Sequence, residues 1–207
     1  MRTDVGQVHA GTSVDVRPVV QTVALAFDSL EVSRWLCPDD RERAGVLGGF
    51  FELHVRHALR HGAVDYTPGY RGVAVWVGHP APPIPGYESR RDAVTGRWAD
   101  RFGTLDAVMD ARHPDVCHCY LAFLAVLPTD QGRGLGSALL AHRHAVLDRT
   151  GTPAYLEAAD PRSRALYARR GYAGCGTPLD LPVQQSLMPM WREPRTRTGG
   201  RDPSVAV

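Results

Sequence analysis

The residues Gln131-Gly132-Arg133-Gly134-Leu135-Gly136 stand between an apolar run, Leu121 to Leu127, and a segment of helical character that begins near Ser137. A strand that feeds a glycine-rich loop opening a helix gathers unpaired backbone N–H groups and the positive end of a helix dipole at one point, and that point binds phosphate. Two common phosphate loops are excluded. A nucleoside-triphosphate loop requires a lysine and a hydroxyl residue after its last glycine, and the chain contains no lysine. A dinucleotide fingerprint starting at Gly132 requires glycine where Ser137 stands, and no acidic residue closes a second strand at the distance that a ribose contact needs.

A second group follows downstream. Pro153 to Ala158 reads as a short strand carrying Glu157, and Asp160 to Tyr172 reads as a helix closed by Gly171. Asp160 is a good N-cap, Pro161 a good first helical residue, and glycine a good terminator. Taken as residues, Glu157 is a strand carboxylate suited to an ion pair or to proton transfer, and Tyr167 is an aromatic on a helical stripe with Leu166 and Tyr172.

The pattern Q-x-x-G-x-G after Leu124-Ala125-Val126-Leu127-Pro128 resembles the pyrophosphate loop Q/R-x-x-G-x-G/A of the GCN5-related N-acetyltransferase (GNAT) family. The segment from Asp160 to Tyr172 resembles that family's second motif, S-N-P-x-x-x-x-x-Y-x-x-x-G-F. The resemblance covers Leu121 to Tyr172 and implies an α/β acyl-CoA N-acyltransferase fold. In that fold a mixed, mostly antiparallel central sheet is flanked by helices, and its fourth and fifth strands splay apart. The resemblance assigns Leu124, Ala125 and Val126 to the pantetheine and thioester end of acetyl-coenzyme A. It assigns Gln131, Gly132, Arg133, Gly134, Leu135, Gly136 and Ser137 to the pyrophosphate, and Asp160, Ser163 and Tyr167 to the cofactor side of the second motif. At Gly134 and Gly136 a Cβ is expected to stand between the backbone and the ligand oxygens. Asp160 replaces the family's usual asparagine; it accepts a hydrogen bond but donates none.

Acetyl transfer requires a neutral amine, a donor for the oxyanion, and a proton for the departing thiolate. The resemblance places the oxyanion donor at a backbone N–H near Ala125 or Val126 and gives Tyr167 the part of general acid. For the base, Glu157 is a candidate, acting directly or through water. His118 is another, with a suitable unperturbed pKa; solvent also suffices as a proton acceptor. The implied activity is transfer of an acetyl group from acetyl-CoA to a primary amine of a small molecule, such as an antibiotic or a biosynthetic intermediate. A protein or peptide N-acetyltransferase and a non-catalytic acyl-CoA sensor are the alternatives.

Composition agrees with one domain of ordinary core size: 207 residues, 43% hydrophobic. Residues 12–192 are expected to form it, with 1–11 and 193–207 unstructured. A formal charge of +2, with no basic stripe interleaved with aromatics, gives no reason to expect nucleic acid. The absence of lysine excludes Schiff-base catalysis. Neither a long apolar run nor a leader-like start is present, so no membrane partner and a cytoplasmic location are expected, for a monomer or homodimer. Cys117-His118-Cys119 has the residue types of a zinc site. Strand alternation, however, turns the two cysteines to one face and His118 to the other, and no second pair with zinc-like spacing exists. No metal is expected.

The remaining elements must position these groups. Ser13 to Arg17 alternates as a first strand ended by Pro18; Val19 to Leu30 and Asp39 to His61 have helical spacing. Ala63 to Thr67 and Gly72 to Gly78 read as a hairpin about Pro68-Gly69, and Glu88 to Arg112 as one long helix. Ala173 to Cys175 and Ser186 to Trp191 are expected as the last strands. The first helices and the loop before the final strand are expected to form the acceptor pocket. Asp28, Glu31 and Glu52 are available there for an ammonium, and Trp35, Phe50 and Phe51 for a ring.

Overall fold

The computed structural model describes residues 7–183 and 185–195. In chain order the elements are β1 (His9–Ala10), α1 (Val16–Phe27), α2 (Glu31–Leu36), α3 (Asp40–His61), β2 (Gly62–Tyr66), β3 (Gly72–His79), α4 (Tyr87–Thr95), α5 (Ala99–Asp110), β4 (His118–Val126), α6 (Leu135–Thr150), β5 (Ala154–Ala158), α7 (Pro161–Arg169), β6 (Ala173–Gly174), β7 (Leu179–Asp180) and β8 (Ser186–Arg192). The sheet runs β1-β2-β3-β4-β5-β8-β6, with β7 also paired to β8. Every pairing is antiparallel except β4 with β5. This is the mixed, mostly antiparallel α/β architecture expected from the sequence. Among the described residues, no helix is long and apolar enough to cross a membrane.

Period-two alternation divides the core. On β3, Val73 and Val75 pack with Phe50, Phe51 and Phe102 under α1, α3 and α5, while Ala74 and Trp76 pack with Leu139 and Leu140 of α6. A strand buried on both faces reads as a continuous apolar run, and Gly72–Trp76 is buried throughout. Helix α3 starts where Asp39 accepts from the Arg41 N–H at 2.9 Å, with Asp40 and Glu42 in its first turn and Arg60 and His61 in its last. Helix α6 is held to the sheet by a bidentate pair: Arg143 Nε and Nη2 donate to the fully buried Asp65 at 2.9 and 2.5 Å. Removing one partner of such a buried pair costs about 3–5 kcal/mol, so the helix whose N-terminus opens the glycine loop is firmly placed.

Four expectations are corrected. Ser13 to Arg17 is not a strand: the Asp15 carboxylate accepts from the Thr12 N–H and hydroxyl at 2.7 and 2.8 Å, winding Ser13–Asp15 into a 3₁₀ turn that leads into α1. Pro18 falls in the first turn of α1, where its missing N–H costs nothing. The long helix over 88–112 is two helices, because Gly96 has φ +55 and ends α4. At the N-terminus, His9–Ala10 is ordered as an edge strand on Tyr66 and Asp65. Of the tail, the Arg195 N–H donates to Asp148 at 2.8 Å. Residues 1–6 and 196–207 of the segments expected to be unstructured lie outside the described residues.

Candidate active site

Strands β4 and β5 pair at Cys119↔Ala154 and Tyr120↔Tyr155, then diverge. From Leu121 on, β4 keeps its pairing with β3, with an irregularity opposite Val75 and Trp76 that gives β4 one extra residue. Such bulges occur beside active sites because they turn a strand away from its neighbour. The Leu127 N–H donates to the Arg71 carbonyl on the β3 side at 2.9 Å. Strand N–H groups alternate in direction, so that of Ala125 also points to β3, and those of Leu124 and Val126 point into the gap. The Val126 carbonyl lies on the gap side as well, accepting from Gln131 Nε2 at 3.4 Å.

At the mouth of the gap, Gly132 and Gly134 adopt φ +77 and +84, and α6 begins at Leu135 with Gly134 as its N-cap. The first helical hydrogen bond formed from outside the helix is Ala138 N–H to the Gly134 carbonyl, so the amides of Leu135, Gly136 and Ser137 have no helical acceptor. A Cβ on Gly136 would stand 3.6 Å from both Leu124 and Leu166, in ordinary contact on the seam between β4 and α7. For Gly134 the requirement is its left-handed backbone. Arg133 pairs with Asp130 at 3.4 Å but is 57% exposed, and Arg162 Nη1 donates to Gln131 Oε1 at 3.3 Å. Two cations therefore flank the amide cluster.

The gap continues into a cavity of about 780 Å³. Leu124, Val126, Gln131, Asp160, Ser163 and Tyr167 border one end, Tyr120 and Glu157 the middle, and Phe27, Phe51, His54, Tyr87 and Asp110 the other. Asp160 caps α7: its Oδ1 accepts from the Ser163 N–H at 2.8 Å, and Ser163 Oγ donates to the Asp160 carbonyl at 2.9 Å. One carboxylate oxygen and the serine hydroxyl are thus committed to the helix start. Tyr167 packs edge-on to Tyr172 with centroids 5.8 Å apart, and burial raises its pKa, so its hydroxyl stays protonated.

Glu157 sits at the root of the splay. Its Oε2 accepts from the Tyr120 hydroxyl at 2.9 Å, joining the two diverging strands, and its Oε1 is buried with no partner among the described residues. Burial outweighs the tyrosine bond and pushes the carboxyl up to about 7 from 4.5. A carboxyl with that value is divided between its two forms at neutral pH, which suits proton transfer.

The family model of the acetyltransferase (GNAT) domain matches residues 95–173, which contain β4, the loop, α6, β5 and α7. Over those residues the chain matches a GNAT acetyltransferase domain. Among solved structures, this chain is similar to histone acetyltransferase HPA2 and related acetyltransferase from Corynebacterium glutamicum, at 26% identity and TM-score 0.66, covering 93% of this chain and 98% of that one. It shares its fold with arylalkylamine N-acetyltransferase 2 from Aedes aegypti at 13% identity and TM-score 0.65, over 91% and 99% of the two chains. It also shares it with the ribosomal-protein-S18-alanine N-acetyltransferase from Escherichia coli at 15% identity and TM-score 0.53, over 94% and 97%. The GNAT domain makes this chain an acyltransferase, and the differing acceptors of those neighbours leave its own acceptor to the cavity.

Among the residues singled out from sequence, the GNAT cavity gathers Leu124, Val126, Gln131, Asp160, Ser163, Tyr167 and Glu157. Ala125 turns its side chain into the core and is 1% exposed. His118 is also 1% exposed and stands behind His79 and His113 rather than on the cavity wall. Of the acceptor candidates, Phe50 and Phe51 line the cavity. Asp28 lies toward Arg43 at 3.8 Å, Glu52 pairs with Arg56 at 2.7 Å, Glu31 is exposed, and the Trp35 carbonyl accepts from Arg101. The carboxylates at the acceptor end instead come from the segment before β4. Asp106 accepts from Tyr87 at 3.0 Å and Arg91 at 2.9 Å, whereas Asp110 has no ion pair among the described residues. Sequence spacing gave no sign of Tyr120, His54 or Asp110, because each depends on how α3, α5 and β4 converge.

A stability consequence follows from Glu157. Its folded pKa lies above the unfolded value, so its contribution is intact below about pH 4.5 and is lost as pH rises through about 7. At roughly 1.4 kcal/mol per pH unit, the wild type should lose on the order of 2–3 kcal/mol relative to Glu157→Gln between pH 4.5 and pH 8. Urea denaturation of both proteins at the two pH values checks this; an equal difference at both contradicts it.

Proposed function

We propose that the chain transfers an acetyl group from acetyl-CoA to a primary amine of a small molecule with an apolar body, acting in the cytoplasm. The observation that carries this reading is the single cavity joining the glycine-loop end to Glu157 and to an aromatic chamber. A concave cavity of about 780 Å³ lined largely by apolar and aromatic side chains has the size and character of a small-molecule site. Gap-facing backbone at Leu124 and Val126 matches the needs of the pantetheine amides. The amides of Leu135 to Ser137, with Arg133 and Arg162 beside them, match those of the pyrophosphate.

In the reaction, Asp110 attracts the ammonium and Phe27, Phe51 and Tyr87 hold its body. Glu157 takes one proton from the amine nitrogen, which then attacks the thioester carbonyl. A gap-facing N–H of β4 bonds the oxyanion as it forms. The C–S bond breaks and Tyr167 protonates the departing thiolate, recovering its own proton from the amide nitrogen as the tetrahedral intermediate collapses. The products are the N-acetyl amine, free coenzyme A and one proton that leaves through Glu157.

Donor binding is tested directly by thermal denaturation. Acetyl-CoA at a hundredfold its Kd should raise Tm by about 5–10 °C. Gly134→Val, which forces a β-branched residue to a left-handed φ at the amide cluster, should weaken binding at least tenfold and reduce that shift by about half. An unchanged shift in the variant, or none in the wild type, contradicts the donor site.

A further inference from the structure

Three histidines from separate segments meet beside the cavity. His79 ends β3, His118 begins β4 and is its cross-strand partner, and His113 lies in the loop after α5. One ring nitrogen from each lies within 4.8 Å of the others, and the ring centroids are 4.8 to 5.0 Å apart. The cluster has no place in the acyl-transfer chemistry described above.

Its innermost member is prepared for a ligand. His118 Nδ1 is 2.6 Å from the Val116 carbonyl, so that nitrogen carries the proton and donates it, leaving Nε2 as a lone pair. His118 is 1% exposed, and this Nε2 is buried with no partner among the described residues. A backbone carbonyl that fixes the tautomer and turns the other nitrogen inward is the usual support of a metal-bound histidine. Burial, together with the neighbouring imidazoles, lowers His113 to about 4 and also lowers His118. Burial thus favours the neutral form of His113 and His118, the form in which imidazole ligates metal. Among the described residues, no carboxylate or thiol joins the three ligand atoms in the cluster.

We propose that His79, His113 and His118 bind one divalent transition-metal ion of the imidazole-preferring class, such as Zn²⁺ or Co²⁺. Metal–nitrogen bonds of about 2.0–2.1 Å require the three rings to close by about an ångström. His79 and His113 are partly exposed on the cavity wall and have room to turn. Three protein ligands leave a coordination position open, and the two wall histidines place it toward the acceptor end of the cavity. A polar group of the acceptor, or water, completes the shell. The sequence expectation of no metal rests on the Cys117-His118-Cys119 pattern; the histidine set has no spacing signature because three strand and loop ends assemble it.

The test does not depend on acyl transfer. Chelator-treated protein is titrated with Co²⁺ and then Zn²⁺, following visible absorption for coordination geometry and equilibrium dialysis for stoichiometry. The expected result is one ion per chain, with the Co²⁺ spectrum of a four- or five-coordinate nitrogen site that Zn²⁺ displaces. His79→Ala and His113→Ala, both at partly exposed positions, should each weaken binding at least tenfold without altering the circular dichroism spectrum. The pair His57 and His61, one turn apart on α3 with ring centroids at 4.8 Å, is the alternative histidine site. His57→Ala with His61→Ala should leave binding intact. Absence of stoichiometric binding, an octahedral Co²⁺ spectrum only, or loss of the ion in the α3 variant but not in the other two overturns the proposal.

Discussion

Glu157→Gln is expected to lower the rate of acetyl transfer at pH 7 by about 10²–10⁴-fold, the range for loss of a general base. Glutamine keeps the shape of the side chain and can still accept from the Tyr120 hydroxyl, so the cavity and the donor site should be preserved. What it removes is a carboxylate whose pKa, pushed by burial to about 7, matches the working pH. The wild-type profile of kcat/KM should rise with pH through an inflection near that value, and the glutamine variant should lack the inflection. Stopped-time thiol release from pH 5 to 9 reads both features. An unaltered profile in the variant would assign proton removal to solvent and leave Glu157 as a structural link between β4 and β5.

Tyr167→Phe should lower kcat by about ten- to a thousandfold while acetyl-CoA binding stays within a few-fold of wild type. The ring packs among Leu139, Ala158 and Tyr172 whether or not the hydroxyl is present, so the phenylalanine variant keeps the core. Burial raises the pKa of Tyr167, which preserves the phenol as a proton donor to the thiolate across the working range. The loss should shrink when the leaving thiol is made more acidic, because a better leaving group needs less protonation. A constant loss across thioesters of differing thiol acidity would mark Tyr167 as a packing residue.

Parts of this arrangement were legible in the sequence because they are local. The loop from Gln131 to Ser137 announces itself through glycine spacing between a strand and a helix, and both backbone conformation and free amides follow from that order. The start of α7 was legible from Asp160 and Pro161, whose capping geometry needs no tertiary contact. Other features required the assembled fold. Ser13 to Arg17 alternates like a strand, yet one side-chain bond set between Thr12 and Asp15 winds it into a helical entry. Gly96 lies within an amphipathic run and breaks it, because the chain must turn there to bring Phe102 against Phe50 at 4.8 Å.

The acceptor end illustrates the same limit at the level of charge. Asp28 follows the last residue of α1 and Glu52 lies on α3, two helices that border the cavity, but each lies toward an arginine on α3. Asp106 and Asp110, on α5, are carboxylates that line the cavity instead. Periodicity identifies which helical face is apolar and gives no information on which polar residue flanks a cavity two elements away. The three histidines, 34 and 39 residues apart in sequence from His79 to His113 and His118, are legible only once β3 and β4 are paired.

We propose that the β4–β5 gap carries acetyl-CoA to an amine held in the aromatic chamber. It is tested most directly by thiol release from acetyl-CoA across a panel of arylalkylamines, aminoglycosides, polyamines, amino acids and peptides, with mass spectrometry of the products. Coenzyme A release should be matched one for one by an N-acetyl product, be strongest for a small amine with an apolar or aromatic body, and fall by about 10²–10⁴-fold in Glu157→Gln at pH 7. Acetyl-CoA binding without release for any amine would contradict it and favour a sensor, as would acetylation confined to peptides favour a protein acceptor.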